Sequence, residues 1–414
     1  MRRSILAVVP ALLTCVTLAA CGGGDPVPAA TVPADGTLTI YSSLPLRGGL
    51  RPQTLAVQQG IRLALEEHRA RAGGRSIRYV PLDDSEPEAA AWTPGQAAAN
   101  ARLAVEDPST IGYIGDLESG ASAVTIPILN AAGIAQISPS NTYVGLTTAE
   151  PGSMKGEPDK YYPSGRRTFV RLVPRDTVQG AALVSQIRAD GCQRPALVHD
   201  DERYGAGLSR IIEDRANAAG VQLVADLSVG SRPEELRAQA AAIAADGADC
   251  VLYAGIPGSV ANTLLREVAA AIPGARLYGS DGLCQSGFTD PSVGGLPPAI
   301  GARFRCTIAT LDTRSMPGGA KFLRAFAARF GTPDPDPYAI YGYEAMQLLL
   351  DLIESGSTTR PALVRSLLRV RDRSSVLGTY SIDRRGDTTT TNYGLYRVGP
   401  DGRVVFERTI RPPA

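Results

Sequence analysis

Four short stretches hold the side chains best suited to gripping a small charged molecule. They are GDLESGAS at 115–122, SPSNT at 138–142, DDERYGAG at 200–207 and GSDGL at 279–283. Ser119, ahead of a helical run, offers a hydroxyl and free backbone N–H groups, and Ser140, Asn141 and Thr142 add further donors. Donors of this kind suit a carboxylate. Asp281 offers an anion for an ammonium group, a charge-assisted bond of roughly 1.5 to 3 kcal/mol. Each residue also fits a local role: Ser119 as a helix cap, Thr142 in a turn, Tyr204 packed on its loop, Asp281 in an Asp-Gly turn. Asp116, Glu118, Asp200 and Asp201 read as rim or capping groups, and Trp92, the single tryptophan, as a surface residue.

Catalysis is the competing chemistry, and the sequence supplies little for it. His68 lies mid-helix among Glu66, Glu67 and Arg69, while His199 ends a strand beside Asp200 and Asp201. No nucleophile elbow, metalloprotease helix, phosphate loop or dinucleotide fingerprint is present. A hydrolase would have to rest on Ser119 or His199. A formal net charge of +1 leaves no footprint for nucleic acid. No metal and no cofactor is expected.

The elements that must hold these loops follow a strand-helix rhythm. Strands are expected at 37–41, 77–82, 111–114 and 134–137, with helices at 53–72, 96–105 and 122–132 between them. After a loop rich in glycine, proline and charge at 148–166 the rhythm resumes, with strands at 168–173, 196–199, 221–227, 250–254 and 276–278. Helices at 178–189, 205–219, 233–245 and 260–271 separate them, so two α/β units with parallel sheets stand in tandem. Three further helices, at 320–330, 338–353 and 361–370, lack a sheet of their own and must return to one already built. A hairpin closes the chain around 394–408. In open parallel sheets ligands bind at the carboxyl ends of strands, which is where all four loops fall.

The first residues address the chain. Arg2 and Arg3 precede an apolar run ending in Leu18-Ala19-Ala20-Cys21, a secretory leader over 1–20 whose end resembles a bacterial lipobox. Cys21 is then the lipidation site, and 21–36 a flexible tether that anchors the protein to the outer face of the cell membrane. With Cys15 removed and Cys21 acylated, Cys192, Cys250, Cys284 and Cys306 remain, an even number in an exported chain. If 196–198 and 251–253 are neighbouring parallel strands, Cys192 and Cys250 share one sheet end, leaving Cys284 to pair with Cys306. A zinc site is the alternative, without the spacing that would favour it.

The segment IGYIGDLESGASAVTIPILNAAGIAQISPSNT at 111–142 resembles the leucine/isoleucine/valine-type binding proteins of ABC importers. LVHDDERYGAGL, LYGSDGL, Asp83-Asp84 and DPYAIYGYEAMQLLLDLI match the same family in order and spacing, over nearly the whole chain. The resemblance implies a type I periplasmic binding protein: α/β, two Rossmann-like lobes with parallel central sheets joined by three hinge crossovers. It places 37–170 with 313–378 in the first lobe and 171–312 with 379–414 in the second. By the same resemblance Ser119 bonds the ligand carboxylate, Thr142 binds through main chain and hydroxyl with Ser140 beside it, Tyr204 covers the ligand and Asp281 pairs with the ammonium group. The implied partners are a small amino-acid or related carboxylate ligand and ABC permease subunits, the protein itself being a monomer; a sensing role that regulates a membrane receptor or envelope enzyme is the alternative. The chain departs from the family in having Asp281 one methylene shorter than the usual glutamate. Its first loop carries Arg47 and Arg51 where several members place an aromatic, and 148–166 is longer than the usual connection.

Overall fold

The structure is a computed structural model that describes residues 36–230 and 232–411. The leader, Cys21 and the tether up to residue 35 lie outside them. Aliphatic runs become strands buried on both faces, as parallel sheets covered by helices require. Leu38–Leu44 is buried throughout and sits in parallel between Arg75–Asp83 and Thr110–Gly115. Ala135–Ser138 and Phe169–Arg171 extend this first sheet in parallel, and Arg71–Ala72 closes its other edge in the antiparallel sense. The first strand runs three residues beyond the expected end because Ser42 and Ser43 are buried in the ladder, Ser43 Oγ donating to Asp84 Oδ2 at 3.1 Å.

The second sheet runs Ala225–Ser228, Pro195–His199, Cys250–Ala254, Arg276–Gly279 and Phe304–Ile308 in parallel. Tyr393–Val398 and Val404–Ile410 then add an antiparallel edge, so this sheet is mixed where a parallel one was expected. The short link between those two strands leaves no length for a crossover, so they pair with each other in the antiparallel sense. The strand expected at 221–227 shrinks to Ala225–Ser228, since the Val221 N–H bonds back to the Ala216 carbonyl at 2.8 Å and finishes the preceding helix.

Of the three C-terminal helices, Ala339–Glu354 and Arg360–Leu367 return to the first sheet, and Gly319–Phe330 packs on helix Arg51–Glu67 beside it. Helix Ala339–Glu354 lies against helix Arg51–Glu67 at backbone contact. A Cβ on Gly342 would stand 2.4 Å from the Val57 carbonyl oxygen, and one on Gly60 2.1 Å from that of Ala339. Arg171 and Tyr380, assigned to the second lobe by the sequence segmentation, sit with the first. Arg171 ends a strand of the first sheet, and the Tyr380 hydroxyl donates to Glu344 Oε1 at 2.8 Å.

Cys192–Cys250 and Cys284–Cys306 are disulfide-bonded, with Cα separations of 6.1 and 5.4 Å. The register explains both pairs. Cys250 stands opposite Pro195, three residues after Cys192, and Cys306 opposite Gly279, just before the turn that carries Cys284.

Candidate functional site

The carboxyl ends of both sheets face one seam. Ser119 begins helix Ser119–Ala131 directly after strand Thr110–Gly115, and Ser140 and Thr142 follow strand Ala135–Ser138. Tyr204 lies in the first turn of helix Arg203–Ala218, and Asp281 follows strand Arg276–Gly279. All five line a single cavity of about 40 Å3 between the lobes. One water needs roughly 10 to 15 Å3 of such space, so a molecule of amino-acid size must part the walls to enter. A larger hollow of about 480 Å3, bordered by Arg276, Arg303 and Arg305, lies elsewhere and gathers none of the strand-end residues.

Asn141 does not join the cavity. Its side-chain amide donates to the carbonyls of Asp116 at 3.1 Å and Leu117 at 2.7 Å, which knits the two first-lobe loops together. Ser140 Oγ likewise donates to the Leu117 carbonyl at 2.8 Å, so its hydroxyl hydrogen is engaged within the wall. Ser119 Oγ accepts from the Tyr143 N–H at 3.4 Å and keeps its own hydrogen for donation. The turn bearing Thr142 is set by Arg171, whose Nη1 donates to the carbonyls of Asn141 at 3.1 Å and Tyr143 at 2.8 Å. Arg171 Nη2 reaches Thr147 Oγ1 at 2.6 Å, and its Nε pairs with Asp387 at 2.8 Å.

Asp281 faces these donors from the opposite wall. Its Oδ1 accepts from Gln179 Nε2 at 3.0 Å and from the Tyr204 hydroxyl, and its Oδ2 accepts from the Tyr338 hydroxyl at 2.7 Å. Burial pushes the Asp281 pKa up, opposed by those three donors. Tyr338 stands at the start of helix Ala339–Glu354, so its bond to Asp281 spans the seam. A second strap joins Arg203 Nη1 to Glu157 Oε1 at 2.9 Å; Glu157 belongs to the long 148–166 loop and also accepts from Tyr143 and Tyr161 at 2.6 Å.

Several residues lie deeper than their sequence suggests. Glu118 lines the cavity and is buried, with no hydrogen-bond partner on either carboxyl oxygen among the described residues; it is not a rim group. Asp116 is fully buried behind it, accepting from Thr125 at 2.5 Å and Ser122 at 3.3 Å. Asp200 is engaged by the N–H groups of Ile256 at 2.7 Å and Glu202 at 3.2 Å. Trp92 is half-buried rather than a surface residue: a Cβ on Gly120 would fall 2.5 Å from its ring and 3.1 Å from Glu202 Oε2 of the facing helix. The indole therefore lies at the seam. Gln53 and Tyr338 line the cavity without having been singled out; Tyr338 sits in the DPYAIYGYEAM stretch already matched to the family. Arg47 pairs with Asp83 at 3.3 Å and, like Arg51, is absent from the cavity wall.

Neither histidine supports hydrolysis at Ser119. His199 Nδ1 faces the Asp200 carbonyl at 2.8 Å, and His68 Nε2 lies 2.7 Å from Gln347 Oε1.

The buried acids give stability an unusual pH dependence. Burial raises the pKa of Asp116 to about 7, against hydrogen bonds from Thr125 and Ser122, and raises that of Asp200 to about 7. A carboxyl group whose folded pKa lies above its unfolded value near 3.9 binds its proton more tightly when folded. Its stabilisation is complete below about pH 4 and is lost as pH climbs through about 7. Each such group costs up to about 1.4 kcal/mol per pH unit across that window. Asp83, Asp107, Asp190 and Glu157 are shifted downward and take their toll only in stronger acid. The melting temperature is expected to be several degrees higher at pH 5 than at pH 8 by calorimetry, and a flat or rising profile would contradict it.

Residues 38–403 match the family described as periplasmic binding protein. An amino acid binding protein of Pseudomonas aeruginosa is 25% identical over 356 residues, covering 83% of this chain and 86% of that one. A leucine binding protein of Thermotoga maritima superposes with a TM-score of 0.74 at 22% identity, over 91% of this chain and 99% of its own. A solute binding protein of R. palustris, solved in complex with benzoate, gives 0.73 at 22% identity over 91% of this chain and 97% of its own.

Proposed function

The chain belongs to the periplasmic binding protein family, and from that premise we propose that it is the extracytoplasmic solute-binding lipoprotein of an ABC importer, capturing a small amino-acid-like zwitterion between its lobes. The observation that carries the reading is the placement of Ser119 and Thr142 on one wall of a cavity and Asp281 on the other. Hydroxyl and N–H donors at the start of a helix take the carboxylate, and the buried anion takes the ammonium. A ligand bonded to both walls favours the closed arrangement by differential contact, and closure is what the permease reads. The relatives bear on the alternatives: the Pseudomonas protein is described as amino acid binding and the R. palustris protein is held with benzoate, and both are binding proteins rather than enzymes. Acylation of Cys21 tethers the closing lobes to the outer face of the membrane; among the described residues no helix is long and apolar enough to cross it.

The test is a thermal-shift screen of the full chain against amino acids, amides, sugars and aromatic carboxylates. A ligand at 100 times its Kd adds about 2.7 kcal/mol of stability. A hit among zwitterions, with a smaller radius of gyration in solution scattering, is the expected outcome. A hit confined to benzoate-like acids, or binding without compaction, defeats the proposal.

A further inference from the structure

We infer that the captured amino acid carries a second cationic nitrogen in its side chain and that Glu118 selects it, an inference that rests on the reading of the cleft as a zwitterion site. Among the described residues two carboxyl groups, Glu118 and Asp281, line the cavity, and no lysine, arginine or histidine does. Asp281 already accepts from Tyr204, Tyr338 and Gln179. Glu118 is 6% exposed and, among the described residues, has no hydrogen-bond partner on either carboxyl oxygen. A buried acid without partners is costly, and such groups are rare unless something outside the fold completes them.

Counting the polar groups of a simple zwitterion leaves Glu118 over. Its carboxylate goes to Ser119 and Thr142 and its ammonium to Asp281. An aliphatic side chain would then press hydrocarbon against an unpaired buried carboxyl group, the least favourable neighbour available. An ammonium or guanidinium brings several N–H donors and the complementary charge. The other titratable groups facing Glu118 have the same sign: Asp84 at the end of strand Arg75–Asp83, Asp116 behind it and Glu202 across the seam.

The arrangement also couples binding to protons. Burial, then the neighbouring Asp84, hold the Glu118 pKa well above the usual carboxylate range. That shift favours the protonated form in the empty cleft, and an arriving cation favours the ionised one. Affinity for a cationic amino acid therefore rises with pH, while affinity for a neutral one does not follow the same course.

Isothermal titration calorimetry of the full chain with arginine, lysine, leucine, norleucine and benzoate tests this. Lysine or arginine is expected to bind at least about tenfold more tightly than leucine or norleucine, and Glu118→Gln to erase that advantage. The heat of binding the cationic ligand is expected to depend on the buffer, reporting about one proton released near neutral pH, and to lose that dependence in Glu118→Gln. Glu118→Ala reads the same ratio by removing the group altogether, and melting curves of both variants confirm that the fold is retained. Leucine bound as tightly as lysine by the unmodified protein, or equal weakening of both by Glu118→Gln, overturns the inference and leaves zwitterion capture standing. Binding of benzoate with no amino acid bound overturns the reading of the cleft and the inference with it.

Discussion

Replacing Arg171 with leucine is expected to lower the free energy of unfolding by about 3 to 5 kcal/mol, the usual cost of breaking a buried ion pair from one side. Arg171 is fully buried, and its guanidinium serves Asp387, two backbone carbonyls and Thr147 at once. Leucine fills much of the space and serves none of them, so Asp387 is left with Arg175, 3.4 Å away, and the Thr147 hydroxyl at 2.8 Å, neither of which replaces the buried guanidinium. Urea denaturation checks the figure, and a loss below about 1 kcal/mol would show that the network carries little stability. Adding Asp387→Leu is expected to recover part of the loss, because the stranded charge is then gone. The ligand should bind more weakly too, since the same guanidinium sets the carbonyls on either side of Thr142.

The second large effect concerns Asp281. Asp281→Asn keeps the size of the side chain and two of its roles, accepting from Tyr204 and facing Tyr338, but removes the anion. The amino acid identified by the screen is expected to bind roughly 10- to 100-fold more weakly, the equivalent of a charge-assisted hydrogen bond of about 1.5 to 3 kcal/mol. The folded protein itself should lose little, because burial already disfavours the ionised carboxylate there. Calorimetric titration with a parallel melting curve separates the two quantities. An unchanged Kd would remove Asp281 from the binding site.

These residues differ in how plainly the sequence announces them. Ser119, Thr142, Tyr204 and Asp281 could be singled out because each follows a hydrophobic run that can only be a buried parallel strand, and strand ends are where such sheets bind. The pairing of the cysteines was legible for the same reason, since strand neighbours fix which side chains share a sheet end. Glu118 reads from the sequence as a rim or capping group because an acid just ahead of a helix ordinarily caps it. Its burial is imposed from other parts of the chain, by elements that no local pattern ties to residue 118. Gln53 and Tyr338 reach the cavity from helices whose periodicity describes their packing on each other and says nothing of where their first turns point. The partnership of Arg171 with Asp387, 216 positions away, depends on the return of the chain near its end and has no signal in the spacing of either. The antiparallel edge of the second sheet was visible as a hairpin, but its attachment to strand Phe304–Ile308 was not.

Trp92 is the one tryptophan of the chain, and its ring rests on the backbone of Gly120 within reach of an acid from the other lobe. Indole emission from this protein thus issues from a single spot on the line where the halves meet. If the ligand closes the halves as proposed, their separation is expected to wet that ring and shift its light toward the red, an optical gauge of opening. Titrations and stopped-flow traces can be recorded on unlabelled protein, with no dye to disturb the hinge.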